Sequence, residues 1–271
     1  MTGARRWLGY LGIVVLFSIA CGLLAWWQFS RLEEARERVD RIERNWDAEP
    51  ASLGSILPEL DAFDESLTWH PVAVTGEYLV DEQLLVRGRP RDGLPGFEVL
   101  VPFQAQDGTI LIVDRGWIAV GDAQDDPDDV PAAPTGTIDI VVRVKASEPQ
   151  IPGRTAPAGQ VATIHLPTVA ELVGGSVHTG AYGLIASEEP ALMSVPAPPM
   201  KPALDEGPHL SYALQWIVFA LMAFAALGWA IRQEVRIRRG ELPREPSRTR
   251  RPTDTDIEDA QLDEIESVRG S

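Results

Sequence analysis

The chain has 271 residues, a formal net charge of −16 and one cysteine. That charge excludes a nucleic-acid role, because a field of this sign repels phosphate. The lone Cys21 excludes a disulfide framework and a thiolate metal site.

After a short basic N-terminus, residues 1–6 with Arg5 and Arg6, the sequence is uncharged from Trp7 to Phe29. At about 1.5 Å per residue this run exceeds a hydrocarbon core ~30 Å thick, so 7–29 is predicted to be a transmembrane helix. A signal-peptide core is about 7–15 residues, and no small-x-small cleavage site ends this one. Ser18 also stands where a lipoprotein cleavage motif ending at Cys21 needs an aliphatic residue.

Arg31 to Arg44 continues as a charged helical stalk, with Leu32, Ala35, Val39 and Ile42 at helical spacing. A second helical pattern runs from Ser52 to Phe63. Runs of period-two or wholly apolar character then follow: His70–Tyr78, Gln83–Arg87, Phe97–Gln104, Thr109–Val120, Thr137–Ala146, Val161–His165 and Ala181–Ala186. They predict an antiparallel β domain, a twisted sheet or partly open barrel. Its core takes alternate residues such as Val72 and Val74, or Ile110 and Ile112. Asp107-Gly108 and Asp92-Gly93 supply turns. Asp122 to Pro134 reads as a Pro- and Asp-rich loop, Pro167 to Val173 as a brief helix, and Pro190 to Pro208 as a Pro-rich tether.

Leu210 to Ile231 is the second predicted span, with Trp216 and Trp229 as interfacial anchors. Beyond it the tail, 232–271, is polar and aromatic-free from Gly240 onward and is predicted to be disordered. Arg232, Arg236, Arg238 and Arg239 follow the second span, whereas the nearest basic residue before it is Lys201. The flank richer in Lys and Arg stays inside, so both termini are expected in the cytoplasm of a cell-membrane protein and 30–209 outside. That outer segment holds most of the acidity, with 25 acidic and 8 basic residues between Asn45 and Pro208.

The fold class expected is therefore a membrane-bound α+β protein, two transmembrane helices flanking an extracytoplasmic, mainly antiparallel β domain. No nucleophile-elbow, Walker, Rossmann, zincin or paired-cysteine motif is present, which speaks against the common enzymes. Asp125, Asp126, Asp128 and Asp129 lack an EF-hand frame and contain Pro127, so a solvated loop is expected there rather than a calcium site. His70, His165 and His178 are scattered and read as satisfied strand or loop residues.

The membrane ends hold more chemistry. His209, Tyr212 and Trp216 stand at i, i+3 and i+7, on one helical face, with Gln215 beside them. Trp27, Gln28 and Arg31 form a polar and aromatic corner at the matching depth of the first span. Polar groups at such a depth are functional candidates; an aromatic belt with interhelical hydrogen bonds is the alternative.

Several of these residues carry a resemblance. Trp27-Gln28-x-x-Arg31-Leu32, Gly76-Glu77-Tyr78, the strand Ile110-Leu111-Ile112-Val113-Asp114-Arg115-Gly116-Trp117-Ile118, and His209-Leu210-Ser211-Tyr212-Ala213-x-Gln215-Trp216 together resemble the surfeit locus protein 1 family, across roughly residues 5 to 235. Trp26 stands where that pattern has a small residue, Ala35 where it has a basic one, and Gly207-Pro208 where two asparagines are common. The resemblance implies a non-enzymatic assembly factor for haem-copper cytochrome c oxidase. It also implies haem a as a transient cargo, with oxidase subunit I and haem a synthase as partners beside the lipid bilayer. Haem iron accepts an imidazole, so His209 is the expected ligand, with Tyr212, Trp216 and Trp27 as an aromatic platform and Gln28 or Arg31 near the propionates. An accessory subunit of the finished oxidase is the alternative, and an outward-facing sensor a third reading.

Overall fold

The computed structural model describes residues 3–191 and 193–240, so the tail expected to be disordered lies outside the described residues from 241 onward, while 232–238 continue the second apolar helix and correct that expectation. The chain divides into two units. One joins the stretch up to Phe29 with the stretch from Leu210 onward; the other is Ser30–His209.

The first unit consists of two apolar helical segments. Helix α1 (Gly3–Asn45) runs through the apolar stretch and on into the charged stalk, and no proline interrupts it before Pro50. Helices α2 (Leu53–Ile56) and α3 (Leu166–Val173) belong to the second unit, and α4 (His209–Arg238) carries the other apolar stretch. Helices α1 and α4 are both long and apolar enough to cross a membrane. Arg6, near the start of α1, pairs with Glu234, near the end of α4. The buried residues of the spans, Cys21, Ala25 and Ala213, are all small, as close helix approach in a membrane favours.

In the second unit the stalk buries Leu32, Ala35 and Ile42, the face its periodicity predicted. Ala35, where the resemblance has a basic residue, is therefore in a place that would not accept a charge. The stalk is anchored at its end: Asn45 Nδ2 donates to the carbonyls of Ser66 at 2.7 Å and Thr68 at 2.8 Å. The helical pattern expected from Ser52 to Phe63 is only the single turn α2, because Pro58 lacks the N–H that would continue it.

Eight strands follow the order β1 (Ala51–Ser52), β2 (Pro71–Tyr78), β3 (Leu84–Arg87), β4 (Gly96–Ala105), β5 (Ile110–Ala119), β6 (Ile138–Ala146), β7 (Gln160–Val161) and β8 (Ala181–Glu189). Their spatial order is β1-β2-β6-β8-β5-β4-β3-β7, and β2 pairs with β4 as well, so β2, β6, β8, β5 and β4 close into a ring. Pairing is mainly antiparallel. The three parallel pairs, β1–β2, β3–β7 and β5–β8, are two residues long each. Both hairpin turns form where left-handed backbone is needed: Asp92 and Gly93 have φ of +53° and +81°, and Gly108 has +85°.

The ring interior is filled by Val72, Val74, Val99, Val101, Phe103, Leu111, Val113, Ile140, Val142 and Val144. A second core lies on the other face of β5, where Ile110 and Ile112 meet Leu84, Val86, Ile164, Leu166, Val169 and Tyr182. The expectation that Ile110 and Ile112 share a core with Val72 and Val74 is thus corrected. Helix α3 covers the outer face of β5, so both of its faces are dry.

The ring closes at Gly76, which is opposite Ala105 of β4 and Ile138 of β6 at once. A Cβ there would stand 2.0 Å from the Gln104 carbonyl oxygen and 2.8 Å from the Phe103 ring. Gly76→Ala should therefore destabilise by about 1–3 kcal/mol through overpacking, seen as a lower unfolding temperature of the detergent-solubilised chain. Gly54→Ala, where the added methyl meets nothing within 4 Å, should leave that temperature unchanged or raise it.

Candidate functional site

The six residues expected at the membrane boundary divide between the units. Trp27, Gln28, Tyr212 and Trp216 belong to the span unit, and Arg31 and His209 to the β unit. On α4, Tyr212 and Trp216 follow His209 on one helical face; Tyr212 is 48% exposed, and the Trp216 ring meets Phe219 edge-on at 5.8 Å. On α1, Trp27 is 54% exposed and Arg31 lies one turn further along. The Arg31 guanidinium is paired with Glu34 at 2.7 Å, and both side chains are about half exposed, so the pair is weak.

His209 opens α4 directly after a turn. Gly207 has φ of +71° and its N–H donates to Asp205 Oδ1 at 2.7 Å. Asparagine, the residue of the resembling pattern there, also tolerates left-handed backbone. The other three histidines lie in the body of the β unit. His70 Nδ1 lies 2.9 Å from the Pro71 carbonyl and His165 Nδ1 lies 2.8 Å from Thr168 Oγ1. Burial holds His178 below the ordinary imidazole range. In the acidic loop, Asp128 Oδ2 accepts the Asp122 N–H and Asp126 Oδ1 accepts Gln160 Nε2.

A second constellation grows from Asp114-Arg115-Gly116-Trp117 on β5. Because β5 is buried on both faces, successive charges point into different cores. Arg115 follows Leu111 and Val113 into the ring, where its side chain is 1% exposed. It donates through Nε and Nη2 to the two oxygens of Glu188, at 2.9 and 3.2 Å, and through Nη1 to the Pro131 carbonyl at 3.1 Å. Tyr78 Oη donates to the same Glu188 at 2.7 Å. Burial, then the Glu188 charge, raise the Tyr78 phenol, so it remains a donor.

Asp114 follows Ile110 and Ile112 toward the outer core and is 1% exposed. Its Oδ1 accepts the Gly116 N–H at 2.9 Å within a bulge, where three steps on β5 match two on β4. Gly116 has φ of +128°, and a Cβ there would stand 2.4 Å from the Ala197 carbonyl oxygen. That approach lets Trp117 and Ala197 exchange backbone hydrogen bonds at 2.9 and 2.8 Å, clipping the Pro-rich tether to β5. Trp117 Nε1 donates to the Arg89 carbonyl at 2.6 Å.

Beneath this clip lies a cavity of about 360 Å³, its lining including Trp69, Arg89, Arg91, Glu98, Asp114 and Trp117. Arg89 is paired with Glu98 at 2.9 Å and with Glu148. Although burial opposes it, the Arg89 hydrogen bond and the Ile164 N–H hold the Glu148 carboxyl below the usual range. Burial pushes Glu98 up. Burial, then the charge of Glu98, push Asp114 up to about 8. Trp69 stands at φ of +75°, costly for a bulky residue, with its N–H on the Val144 carbonyl. Sequence reading missed Glu98, Glu148, Glu188 and Arg89. The signal was Asp114-Arg115 itself, adjacent charges inside an apolar strand that require buried partners.

The SURF1 family model matches residues 15–221. An uncharacterised SURF1-like protein of Mycobacterium tuberculosis (strain H37Rv) is 34% identical over 240 residues, 87% of each chain. A SURF1-like protein of Rickettsia felis is 27% identical over 111 residues, 40% of this chain and 46% of that one. The cytochrome oxidase assembly protein SHY1 of Saccharomyces cerevisiae is 29% identical over 111 residues, 40% of this chain and 28% of the relative.

Two outcomes follow from the buried charges. Glu188→Ala leaves Arg115 unpaired in the ring and should cost about 3–5 kcal/mol in urea unfolding, whereas Arg115→Met with Glu188→Leu should recover most of it. Asp114 keeps its proton in the folded chain up to about 8 but loses it near 4 when unfolded. Between those values the unfolded state binds fewer protons, so this group's contribution to stability falls as pH rises and then levels off. Thermal unfolding of Asp114→Asn should lack that decline.

Proposed function

The chain belongs to the SURF1 family, and on that premise we propose that it is a non-enzymatic, membrane-held assembly factor for cytochrome oxidase. The observation that carries this reading is the family match across residues 15–221, joined by a yeast relative whose name states that role. Two helices apolar enough to span a bilayer, separated by a β unit, suit a protein that works where a membrane enzyme is being built.

The finer reading is that it handles haem a on the way into oxidase subunit I, with haem a synthase as the donor-side partner. The cargo supplies an iron that takes an imidazole ligand and an apolar tail that partitions out of water. His209 supplies the imidazole, as the histidine that opens an apolar helix with Tyr212 and Trp216 on the same face. Tyr212, Trp216 and Trp27 offer rings for the porphyrin, and Gln28 and Arg31 offer donors for its propionates. The donor set fits such a cargo: one imidazole beside half-exposed aromatic side chains at the start of an apolar helix. With Arg232, Arg236, Arg238 and Arg239 at its C-terminal end, α4 runs outside to inside, which sets both termini in the cytoplasm of the cell membrane.

The test is colour. The full chain, co-expressed with haem a biosynthesis and purified in detergent, should carry substoichiometric haem a in its absorbance spectrum. His209→Ala should lose it while membrane level stays unchanged. Full haem in the variant removes His209 as ligand; a colourless wild type that co-purifies stoichiometrically with oxidase makes the chain an accessory subunit.

A further inference from the structure

We propose that the cavity over Asp114 is a binding site for a small amphipathic carboxylate, which inserts its apolar body between Trp69 and Trp117 and sets its charged end against Asp114 and Arg91. The cavity lies wholly within the β unit, and its volume of about 360 Å³ falls in the ~300–1,000 Å³ range of small-molecule sites. Its walls are two indoles with Leu184, Pro199 and Met200. Trp69, one of the indoles, is held at positive φ between the Val144 carbonyl and the Trp46 ring, 5.5 Å away. Strain of this kind collects at ligand clamps.

The polar lining has hydrogen-bonding capacity left over, with Arg89 Nε and Glu98 Oε2 both buried without a hydrogen bond among the described residues. Asp114 is 1% exposed, one of its oxygens takes the Gly116 N–H, and the other takes no hydrogen bond among the described residues. Protonated, that oxygen is an O–H donor beside the cavity, and the Glu98 carboxylate, whose charge acts on Asp114 and whose Oε2 is buried without a hydrogen bond, is the acceptor of the chain that a ligand carboxylate would have to outcompete. Arg91 is fixed by Nη1, which donates to the carbonyls of Ala197 at 3.1 Å and Pro198 at 3.0 Å. Its nearest carboxylate is the exposed Asp92, 4.0 Å from Nε. A carboxylate is the ligand group that satisfies both, through a short acid–carboxylate hydrogen bond and a guanidinium contact.

The charges around Asp114 agree. Arg89 and Arg91 precede β4, Glu98 lies on it, Lys145 lies on β6, Glu148 follows β6, and Tyr182 lies on β8. Arg89 is held by Glu98 and Glu148, and Lys145 sits 4.0 Å from Glu148 and within 6 Å of the Trp69 and Tyr182 rings, at 5.8 and 5.7 Å. With Asp114 neutral, Arg89, Arg91 and Lys145 face the partly buried Glu98 and Glu148, while the third carboxylate, Asp92 beside Arg91, is exposed and screened by solvent, so the groups at the cavity carry a positive excess. Ionising Asp114 removes that excess and sets one carboxylate against another.

The experiment is equilibrium dialysis of the full chain in micelles against matched empty micelles. The probe is 1-naphthylacetate, compared with 1-naphthylmethanol and 1-naphthylmethylammonium. The acetate should bind saturably one to one at about pH 6 and weaken by about tenfold or more by about pH 9. Asp114→Asn keeps an N–H donor at the same place, so its affinity should become independent of pH. Arg91→Gln should weaken binding about tenfold at low pH. Tighter binding of the ammonium, equal binding of the neutral alcohol, a pH decline surviving in Asp114→Asn, or no saturable binding at all would each overturn the assignment.

Discussion

A strand dry on both faces has no solvent to receive a charge, and β5 carries two of them in succession. Most of the β unit's polar architecture answers that constraint. Arg115 enters the ring, so Glu188 must come from the adjoining β8 to meet it, and Tyr78 from the end of β2 to fill the remaining acceptor position. Replacing such a set with apolar side chains is often neutral or stabilising, whereas removing one member is severe. What the ion pair supplies is registry. It ties β2, β5 and β8 together at the side of the ring where the pairing of β5 with β8 is only two residues long.

Asp114 meets the same constraint differently. No cation pairs with it directly, and it remains protonated instead, because burial and the Glu98 charge penalise the ionised form. The nearby cation, Arg89, is already divided between Glu98 and Glu148. One residue of the strand is thus held by a full ion pair and its neighbour by neutralisation, and only the second leaves hydrogen-bonding capacity unused beside a cavity.

Much of this was legible in the sequence. The strands stood out because buried β-strands are apolar in runs or alternate with period two, and the turns because Asp92-Gly93 and Gly108 supply the left-handed backbone that hairpins require. The stalk face, Leu32, Ala35 and Ile42, followed from helical spacing. Ring closure was not legible, since which apolar strands become neighbours depends on Gly76 fitting beneath the Gln104 carbonyl, a contact between distant segments. The second core was hidden for a related reason: an all-apolar strand does not reveal which of its faces meets which layer. At the candidate site, His209, Tyr212 and Trp216 could be read because helical periodicity is local. Glu98, Glu148 and Glu188 could not, because an isolated glutamate in a strand has the same local pattern whether it faces water or a buried arginine.

The tether gives the β5 bulge a consequence at the far end of the domain. Pro196, Pro198, Pro199, Pro202 and Pro208 fix φ along the segment, so less conformational entropy is lost when it is held extended. It is held at successive points: Ala197 on Trp117, Arg91 on the Ala197 and Pro198 carbonyls, Lys201 on Asp47 at 2.9 Å and Glu206 on Arg36 at 3.0 Å. The two ion pairs are exposed and worth about 0–1 kcal/mol each, but they act on a chain already stiffened by proline and pinned by backbone hydrogen bonds. The segment leads from Gly116, where only a glycine admits the Ala197 carbonyl, past the end of the stalk to the turn at Gly207 and the first residue of α4. The course of the tether up to Gly207 is therefore set by a bulge on β5 and by a proline-stiffened strap pinned along its length.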